Sequence, residues 1–565
     1  MQTNKRWVVS PLISSEATES LSAFPPIIRQ LLFNRGIARD ADARAYINAA
    51  PNFDPDPFQM LNMEKAVARI RQALRNGEPI AIYGDYDVDG VTATALLVET
   101  LKALGGNVIP YIPNRFDEGY GLNNEALSSL MEQNIRLVIS VDCGIRSPAE
   151  ANHARSLGLD LIITDHHQPS DELPAAYAVL NPKQAGDSYP DKDLAGVGVA
   201  YKLAEAIASR AGSEFDRTRL LDLVALGTVA DLAPLTGENR VLVRRGLDQL
   251  RNTRRQGIFS LAAVADLSLA RINATSIGFV LGPRLNAAGR LESALAAYEL
   301  LTATDVKRAG ELAQQLNVQN RQRQELTRKI QEQADVLAMQ EDPQATLLFA
   351  VHPEFNSGVV GLAAARLAEA YYRPAVVGQV GPETTRCSCR SIPEFHITQA
   401  LDQCADLLIR HGGHAAAAGF TVRNENLDVL KDRLKQIAHQ TLSSQDLRPT
   451  LQADLEVQLK DLNGELLRQL EYLQPTGYGN PDAVFVSRNL RVQSSRTVGS
   501  DGKHMKLVVT DGGGSFDAIA FRLGHLVKEM PERVDVLFTF ETNEYNGRIT
   551  FQLNVRDLRP AGVPD

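Results

Sequence analysis

Cysteine is scarce, with four residues (Cys143, Cys387, Cys389 and Cys404) in a chain of 565. That excludes a disulfide-stapled scaffold, and without paired CxxC spacing it excludes thiolate-bound structural zinc. Long apolar stretches are missing as well. No run of about 18 apolar residues occurs, and the opening Met-Gln-Thr-Asn-Lys-Arg-Trp has no apolar segment behind it. No membrane association or secretory signal is expected, and a reducing cytoplasm is the expected setting. Nor is there an excess of positive charge. The 59 basic and 68 acidic residues leave a net charge of −9, which excludes a uniformly basic coat for nucleic acid but not a local basic groove.

What is present describes globular interiors in several parts. Hydrophobic residues make up 44% and charged residues 22%, enough for normal cores and too much for wholesale disorder. The length corresponds to roughly three to five domains. Residues 1–60, rich in Pro and Asn, read as a lead-in with short helices and no chemistry. Across 61–255, short apolar runs such as Ile80-Ala81-Ile82-Tyr83 and Leu137-Val138-Ile139-Ser140-Val141 alternate with helical patterns, which predicts a parallel α/β sheet. Residues 256–340 read as a connector. From Thr304 to Met339 it holds one glycine and no proline among dense Gln, Glu, Lys and Arg, as a long solvated helix requires. Residues 341–445 read as a second, smaller α/β domain. Residues 446–565 alternate β-type runs with turns (Ser500-Asp501-Gly502, Asp511-Gly512-Gly513-Gly514, Asn546-Gly547), the pattern of a small barrel.

Chemistry concentrates where the apolar runs end. Tyr83-Gly84-Asp85-Tyr86-Asp87-Val88-Asp89-Gly90 follows one predicted strand and precedes a helix-like segment, crowding three carboxylates at a strand end. Like charges so close repel, and a divalent cation that takes hard oxygen ligands is the simplest compensation; the plain alternative is an Asp-rich turn. Asp85, Asp87, Asp89 and Gly90 also match the start of an EF-hand loop. Its closing bidentate Glu would fall on Leu96, and a strand precedes where an EF-hand has a helix, so a calcium loop is rejected. Val141-Asp142-Cys143-Gly144 and Thr164-Asp165-His166-His167 repeat the arrangement. Ligands of open parallel sheets bind beyond the carboxyl ends of the strands, so these groups are expected to converge. Asp231, after the nearly uncharged Leu223–Ala230, is a further contributor. Together they offer ligands for two octahedral-type cations, Mn²⁺ or Mg²⁺, and too much carboxylate for structural zinc. Such a pair activates water and clamps both oxygens of an in-line displacement at phosphorus.

The order Asp-Tyr-Asp-Val-Asp-Gly at 85–90, Asp142-Cys143-Gly144, Asp165-His166-His167 and Asp231 resembles the DHH phosphoesterase superfamily, in particular its single-strand-specific DNA exonucleases. The likeness continues through Gly282-Pro283-Arg284-Leu285-Asn286-Ala287-Ala288-Gly289-Arg290, Gly412-Gly413-His414 with Ala417-Ala418-Gly419, and Pro475-Thr476-Gly477-Tyr478-Gly479-Asn480-Pro481. The resemblance implies a multi-domain α/β protein. Its parts would be a parallel-sheet DHH catalytic domain, a long connector helix, a DHH-associated substrate-binding domain and a C-terminal OB-type β-barrel.

It further implies that Asp87, Asp89, Asp142, His166 and Asp231 hold the metals, with Asp142 bridging and Asp85 completing the acidic rim. His167 would lie near the scissile phosphate, and Asp165 would orient the histidines. Arg115, Arg290, Ser388 and Arg390 match a pocket for a 5′-terminal phosphate, a task suited to guanidinium forks. His414 matches a substrate-contacting turn. Two segments depart from the family pattern. His352-Pro353-Glu354-Phe355-Asn356-Ser357-Gly358-Val359-Val360-Gly361 lacks the usual Trp, and Cys387-Ser388-Cys389-Arg390-Ser391 begins with Cys where glycine is usual.

In the barrel, Tyr472, Phe485, Phe516, Phe521, Phe540, Tyr545 and Phe551 are candidate stacking faces, most of them expected in the core and Tyr545 the foremost candidate for DNA. Lys307, Arg308, Arg321, Arg323, Arg328 and Lys329 on the connector offer either a groove lining or a solvated face. The expected activity is hydrolysis of single-stranded DNA from the 5′ end by a two-metal mechanism, releasing nucleoside 5′-monophosphates. A role in DNA repair and recombination beside a helicase and a single-strand-binding protein goes with the resemblance. The alternatives are a DHH phosphoesterase acting on RNA, short oligonucleotides or cyclic dinucleotides, and a non-catalytic DNA-binding scaffold of the same ancestry.

Overall fold

The computed structural model describes residues 5–48, 55–114, 118, 121–212, 215–499, 501–545 and 548–563. The chain divides into two units. The first comprises Met1–Asn286, Ala294–Ala313 and Thr450–Asp565, and the second Ala287–Ser293 and Gln314–Pro449. The helix Val306–Glu341 carries the chain from one to the other.

The first unit is organised on a five-stranded sheet ordered Val108–Tyr111, Ile80–Gly84, Leu137–Val141, Asp160–Thr164, Ala178–Leu180. Every pairing in it is parallel. Ile80–Gly84 and Leu137–Val141 are buried along their whole length, as expected of parallel strands covered on both faces. The chain steps outward from Ile80–Gly84 to Val108–Tyr111 and then returns to the other side at Leu137–Val141. That reversal opens a crevice beyond the ends of the two central strands. Helix Val88–Ala103, rich in apolar and small residues, is buried on almost every side. Two glycines let its first turn sit against the strand it follows: a Cβ on Gly84 would fall 2.0 Å from Thr94 Oγ1, and one on Gly90 2.6 Å from the Asp85 backbone.

The C-terminal part of the same unit is a closed barrel. Phe485–Val498, His504–Thr510, Ser515–Ala520, Arg548–Pro560 and Arg533–Tyr545 pair in that order, and the last pairs back to the first. The N-terminal segment is part of this region and not a mere lead-in. Strand Arg6–Val9 pairs in parallel with Thr450–Ala453. Trp7, 1% exposed, donates from Nε1 to Asp557 at 2.8 Å. Ile28, Leu31 and Leu32 share a core with Phe485 and Phe538.

The second unit carries a mixed sheet ordered Leu408–Gly413, Ala417–Arg423, Thr384–Arg390, Ala375–Val380, Leu348–His352, in which only the last two strands run parallel. Helices Val360–Tyr371 and Leu427–Leu442 supply its apolar cover. On Val306–Glu341, Arg308, Arg328 and Lys329 pair with glutamates of the helix or its neighbourhood, the solvated-face arrangement. Among the described residues, no helix is long and apolar enough to cross a membrane.

Candidate metal centre

The acids of the first unit are held where strands end and helices begin or end. Asp87 caps helix Val88–Ala103, its carboxylate accepting from the Gly90 amide at 3.1 Å, which satisfies a donor that a helix N-terminus leaves unpaired. Asp89 lies in the first turn of the same helix and accepts from the amides of Gly196 and Val197 at 2.7 and 2.8 Å. Those amides open the buried helix Gly196–Ala211. Asp142 stands at a left-handed φ of 60°, uncommon for any residue with a Cβ. Gly196 makes room for it, since a Cβ there would fall 2.7 Å from Asp142 Oδ1. Asp231 ends helix Leu221–Ala230.

The side chains converge. His166 Nε2 lies 3.1 Å from Asp142 Oδ1, 3.7 Å from Asp231 and 3.8 Å from Asp89. Asp85, Asp87 and Asp142 place ligand atoms within 4.8 Å of one another, and so do Asp89, His166 and Asp231, and Asp142, His166 and His167. Asp142 thus belongs to two of these groups. Among the described residues, neither Asp142 Oδ1 nor His166 Nε2 has a hydrogen-bond partner, although both are buried and face each other. Buried polar atoms are nearly always satisfied, so the pair points at something other than protein.

Charge crowding shows in the ionisation of these groups. Burial, reinforced by Asp87, pushes the Asp89 carboxyl up to about 7, against the two helix amides. Burial and the charges of Asp89 and Asp87 push Asp231 up to about 9. Asp142 rises well above the carboxylate range for the same reasons, with Asp231 adding to them. Burial, helped by His167, pushes His166 down to about 3, so its imidazole is neutral and available as a ligand. Asp165 behaves differently. Its carboxylate accepts from the His166, His167 and Ile145 amides and from His167 Nδ1 at 2.8 Å. Burial opposes its ionisation, but the His167 bond and charge prevail and hold its pKa low. His167 is raised in turn, because the Asp165 partner outweighs burial. A set of carboxylates and one neutral imidazole, crowded and partly unsatisfied, fits hard divalent cations.

The remaining candidates lie elsewhere. Arg115 falls outside the described residues, as do Ser500, Asn546, Gly547 and the side chain of Tyr545. In the second unit, Arg290 donates to the Gly358 carbonyl at 3.3 Å and Arg390 to the Cys389 carbonyl at 2.8 Å. A Cβ on Gly361 would lie 3.4 Å from both Arg390 Nη2 and Ser388 Oγ. The two segments that depart from the family pattern therefore still meet. Cys387 and Cys389 are buried thiols pushed up by burial, with no disulfide. His414 is exposed in the turn between Leu408–Gly413 and Ala417–Arg423, where Gly413 (φ 148°) brings Ala417 too close for any side chain.

In the barrel, Phe485 and Phe540 are core residues, Phe516 is half-buried, and Tyr472, Phe521 and Phe551 are exposed. Sequence reasoning missed Gly196 and Val197. Their signal is the glycine-spaced start Gly196-Val197-Gly198 of an otherwise apolar helix.

With this geometry in hand, comparison with known proteins is direct. The chain matches the DHH family N-terminal domain over residues 79–228, the DHHA1 domain over 344–440 and the RecJ OB domain over 453–557. It is 38% identical to the single-stranded-DNA-specific exonuclease RecJ of Bacillus subtilis, covering 94% of this chain and 68% of that protein. It is 34% identical to that of Escherichia coli, covering 96% and 98%. The crystal structure of RecJ in complex with Mn²⁺ from Thermus thermophilus superposes with a TM-score of 0.86 at 30% identity, over 99% of this chain and 80% of that one. The same enzyme in complex with Mg²⁺ superposes at 0.80 with 29% identity, over 99% and 79%. Sequence, domain order and fold agree over nearly the whole length, and the chain belongs to the RecJ family.

Proposed function

We propose that this chain is a single-strand-specific DNA exonuclease that hydrolyses phosphodiester bonds from the 5′ end and releases nucleoside 5′-monophosphates. One observation carries the reading: Asp142 Oδ1 and His166 Nε2, buried 3.1 Å apart without hydrogen-bond partners among the described residues, at the meeting point of Asp85, Asp87, Asp89 and Asp231. Asp87, Asp89, Asp142, His166 and Asp231 would hold two divalent cations, Mn²⁺ or Mg²⁺, with Asp142 shared and Asp85 on the rim. Such ions, when bound, make water a nucleophile near neutral pH and neutralise charge on the reacting phosphate.

The chain's own groups do the rest. The Gly196 and Val197 amides hold Asp89 in place. Asp165 bonds His167 Nδ1, which leaves Nε2 as the atom that would meet a phosphoryl oxygen, where a raised pKa would favour a donating imidazolium. Arg115, Arg290, Ser388 and Arg390 would read a 5′-phosphate, and His414 would meet the strand. The barrel would hold unpaired bases through exposed aromatics such as Phe521 and Phe551. A cytoplasmic role in DNA repair and recombination, alongside a helicase and a single-strand-binding protein, belongs to the same proposal.

The test is digestion of a single strand labelled at either end, with Mn²⁺ or Mg²⁺. Early release of the 5′ label is expected, with duplex left intact. Early loss of the 3′ label would overturn the polarity, and equal attack on duplex the strand specificity.

A further inference from the structure

Asp231 reaches the centre from a helix end, and residues 231–236 join that helix to the next, Gly237–Arg251. The start of this connection is held from within. The Ala233 amide donates to the Thr228 carbonyl at 3.2 Å, and Leu232 stands at a left-handed φ of 61° with its side chain exposed. The rest is held by a distant part of the same unit, Pro475-Thr476-Gly477-Tyr478-Gly479-Asn480-Pro481, which leads into the barrel strand Phe485–Val498. The Leu235 amide donates to the Tyr478 carbonyl at 2.7 Å. Two glycines allow so close an approach: a Cβ on Gly477 would fall 2.8 Å from Leu235 Cδ1, and one on Gly479 2.9 Å from Pro234 Cβ.

The segment is itself fixed. Buried Asn480 donates from Nδ2 to the Leu473 and Pro475 carbonyls at 2.9 and 2.7 Å, and its Oδ1 accepts from Arg35 at 3.1 Å and Tyr46 at 2.8 Å. Buried Arg240, on helix Gly237–Arg251, donates to the same two carbonyls at 2.8 and 3.2 Å. A buried polar network satisfied to this degree specifies one geometry. The chain after Asp231 is thus gripped at Pro234 and Leu235 and again at Arg240.

We propose that Gly477 and Asn480 are positioning residues of the metal centre. The segment they shape holds Pro234 and Leu235, and through them keeps the Asp231 carboxylate opposite His166, 3.7 Å from its Nε2. They act through Asp231 and neither touches substrate nor moves a proton. A displacement of about 1 Å at a reacting centre costs about a hundredfold in rate, so an anchor remote from the chemistry matters. The proposal rests on the nuclease reading above.

The test uses the full chain with Gly477→Ala, Leu235→Val and the two combined, with Asn480→Ala as a second way to loosen the segment and Leu507→Val in the barrel core as a control. Three quantities are read: Mn²⁺ binding by electron paramagnetic resonance without DNA, single-strand affinity in chelator, and kcat at saturating Mn²⁺. Gly477→Ala and Asn480→Ala should each weaken Mn²⁺ binding and lower kcat about tenfold, while single-strand affinity holds. Leu235→Val removes the atom that the added Cβ meets and leaves the γ carbon 3.5 Å away, an ordinary contact, so the combined variant should recover most of both losses. Leu507→Val should lower the melting temperature and leave Mn²⁺ binding unchanged. Unaltered Mn²⁺ binding and kcat in Gly477→Ala and Asn480→Ala would overturn the proposal. So would an equal loss in Leu507→Val, which would make the effect one of general stability, or a Gly477→Ala loss that Leu235→Val does not relieve. A wild-type chain that binds no Mn²⁺ and leaves single strands intact refutes the nuclease reading instead, so the two failures are distinguishable.

Discussion

Two of the charged regions of this molecule are satisfied in opposite ways. At the crevice of the first sheet, Asp89, Asp142, Asp231 and His166 are buried or nearly so, the three carboxyl groups disfavour one another's ionisation, and among the described residues Asp142 Oδ1 and His166 Nε2 have no hydrogen-bond partner. In the second unit, Arg290 and Arg390 are half-buried and already bonded to the Gly358 and Cys389 carbonyls. The first cluster is incomplete without a cation, whereas the second is stable as it stands. Losses in the first should therefore change rate and stability in opposite directions, and losses in the second should change only preference.

Asp142→Asn is the strongest way to break that contrast. Cleavage should fall about a thousandfold or more, since the proposed shared ligand would be lost. The metal-free protein should nonetheless melt about 2–4 °C higher, because a buried carboxyl that resists ionisation among other acids becomes a neutral amide and Asn tolerates the left-handed φ of 60°. A lowered melting temperature, read by circular dichroism, would mean that Asp142 is held by favourable contacts, and the contrast would fail.

Next in size is the pH dependence of the metal-free protein. Asp89 at about 7 and Asp231 at about 9 keep protons that the unfolded chain releases near pH 4. Asp142 and His167, also raised, act in the same direction. The folded state thus binds more protons than the unfolded state, and stability should fall as pH rises. His166, at about 3, works against this only below its unfolded value near 6.5. Between pH 6.5 and 9 the slope should be negative, at most about 1.4 kcal/mol per pH unit for each group. Saturating Mn²⁺ should flatten it by displacing those protons. Melts that stay flat in chelator would contradict the crowding.

Arg390→Ala should reduce the preference for 5′-phosphorylated over 5′-hydroxyl ends about tenfold while leaving the melting temperature alone. An unchanged preference removes Arg390 from end recognition. The smallest effect is expected in the barrel, where Phe551→Ala should weaken single-strand binding by about fivefold, measured by fluorescence anisotropy. No change would assign that exposed ring to solvent.

Much of this was legible because the sheet is parallel. Apolar runs ending in Asp85–Asp89, Asp142 and Asp165–His167 announce strand ends, and parallel strands bring such ends to one edge whatever lies between them. Asp231 was legible through the apolar helix before it. The local devices were not. That Asp89 is held by Gly196 and Val197 depends on a helix more than a hundred residues away, and the left-handed backbone of Asp142 follows from packing against Gly196. The N-terminal strand was illegible for the same reason. Arg6–Val9 is too short to announce itself, and its partners Thr450–Ala453 and Asp557 lie at the far end of the chain. In the barrel, alternation separated core from surface only in part. Phe485 and Phe540 point inward, while Phe551 packs edge-on to Phe540 and still meets solvent.

Anomalous scattering from Mn²⁺-soaked crystals tests the centre most directly. Two peaks are expected, both in reach of the Asp142 carboxylate, one toward Asp85 and Asp87 and the other toward His166 and Asp231. A single peak, or ions bound away from Asp142, would contradict the shared-ligand centre on which the nuclease chemistry depends.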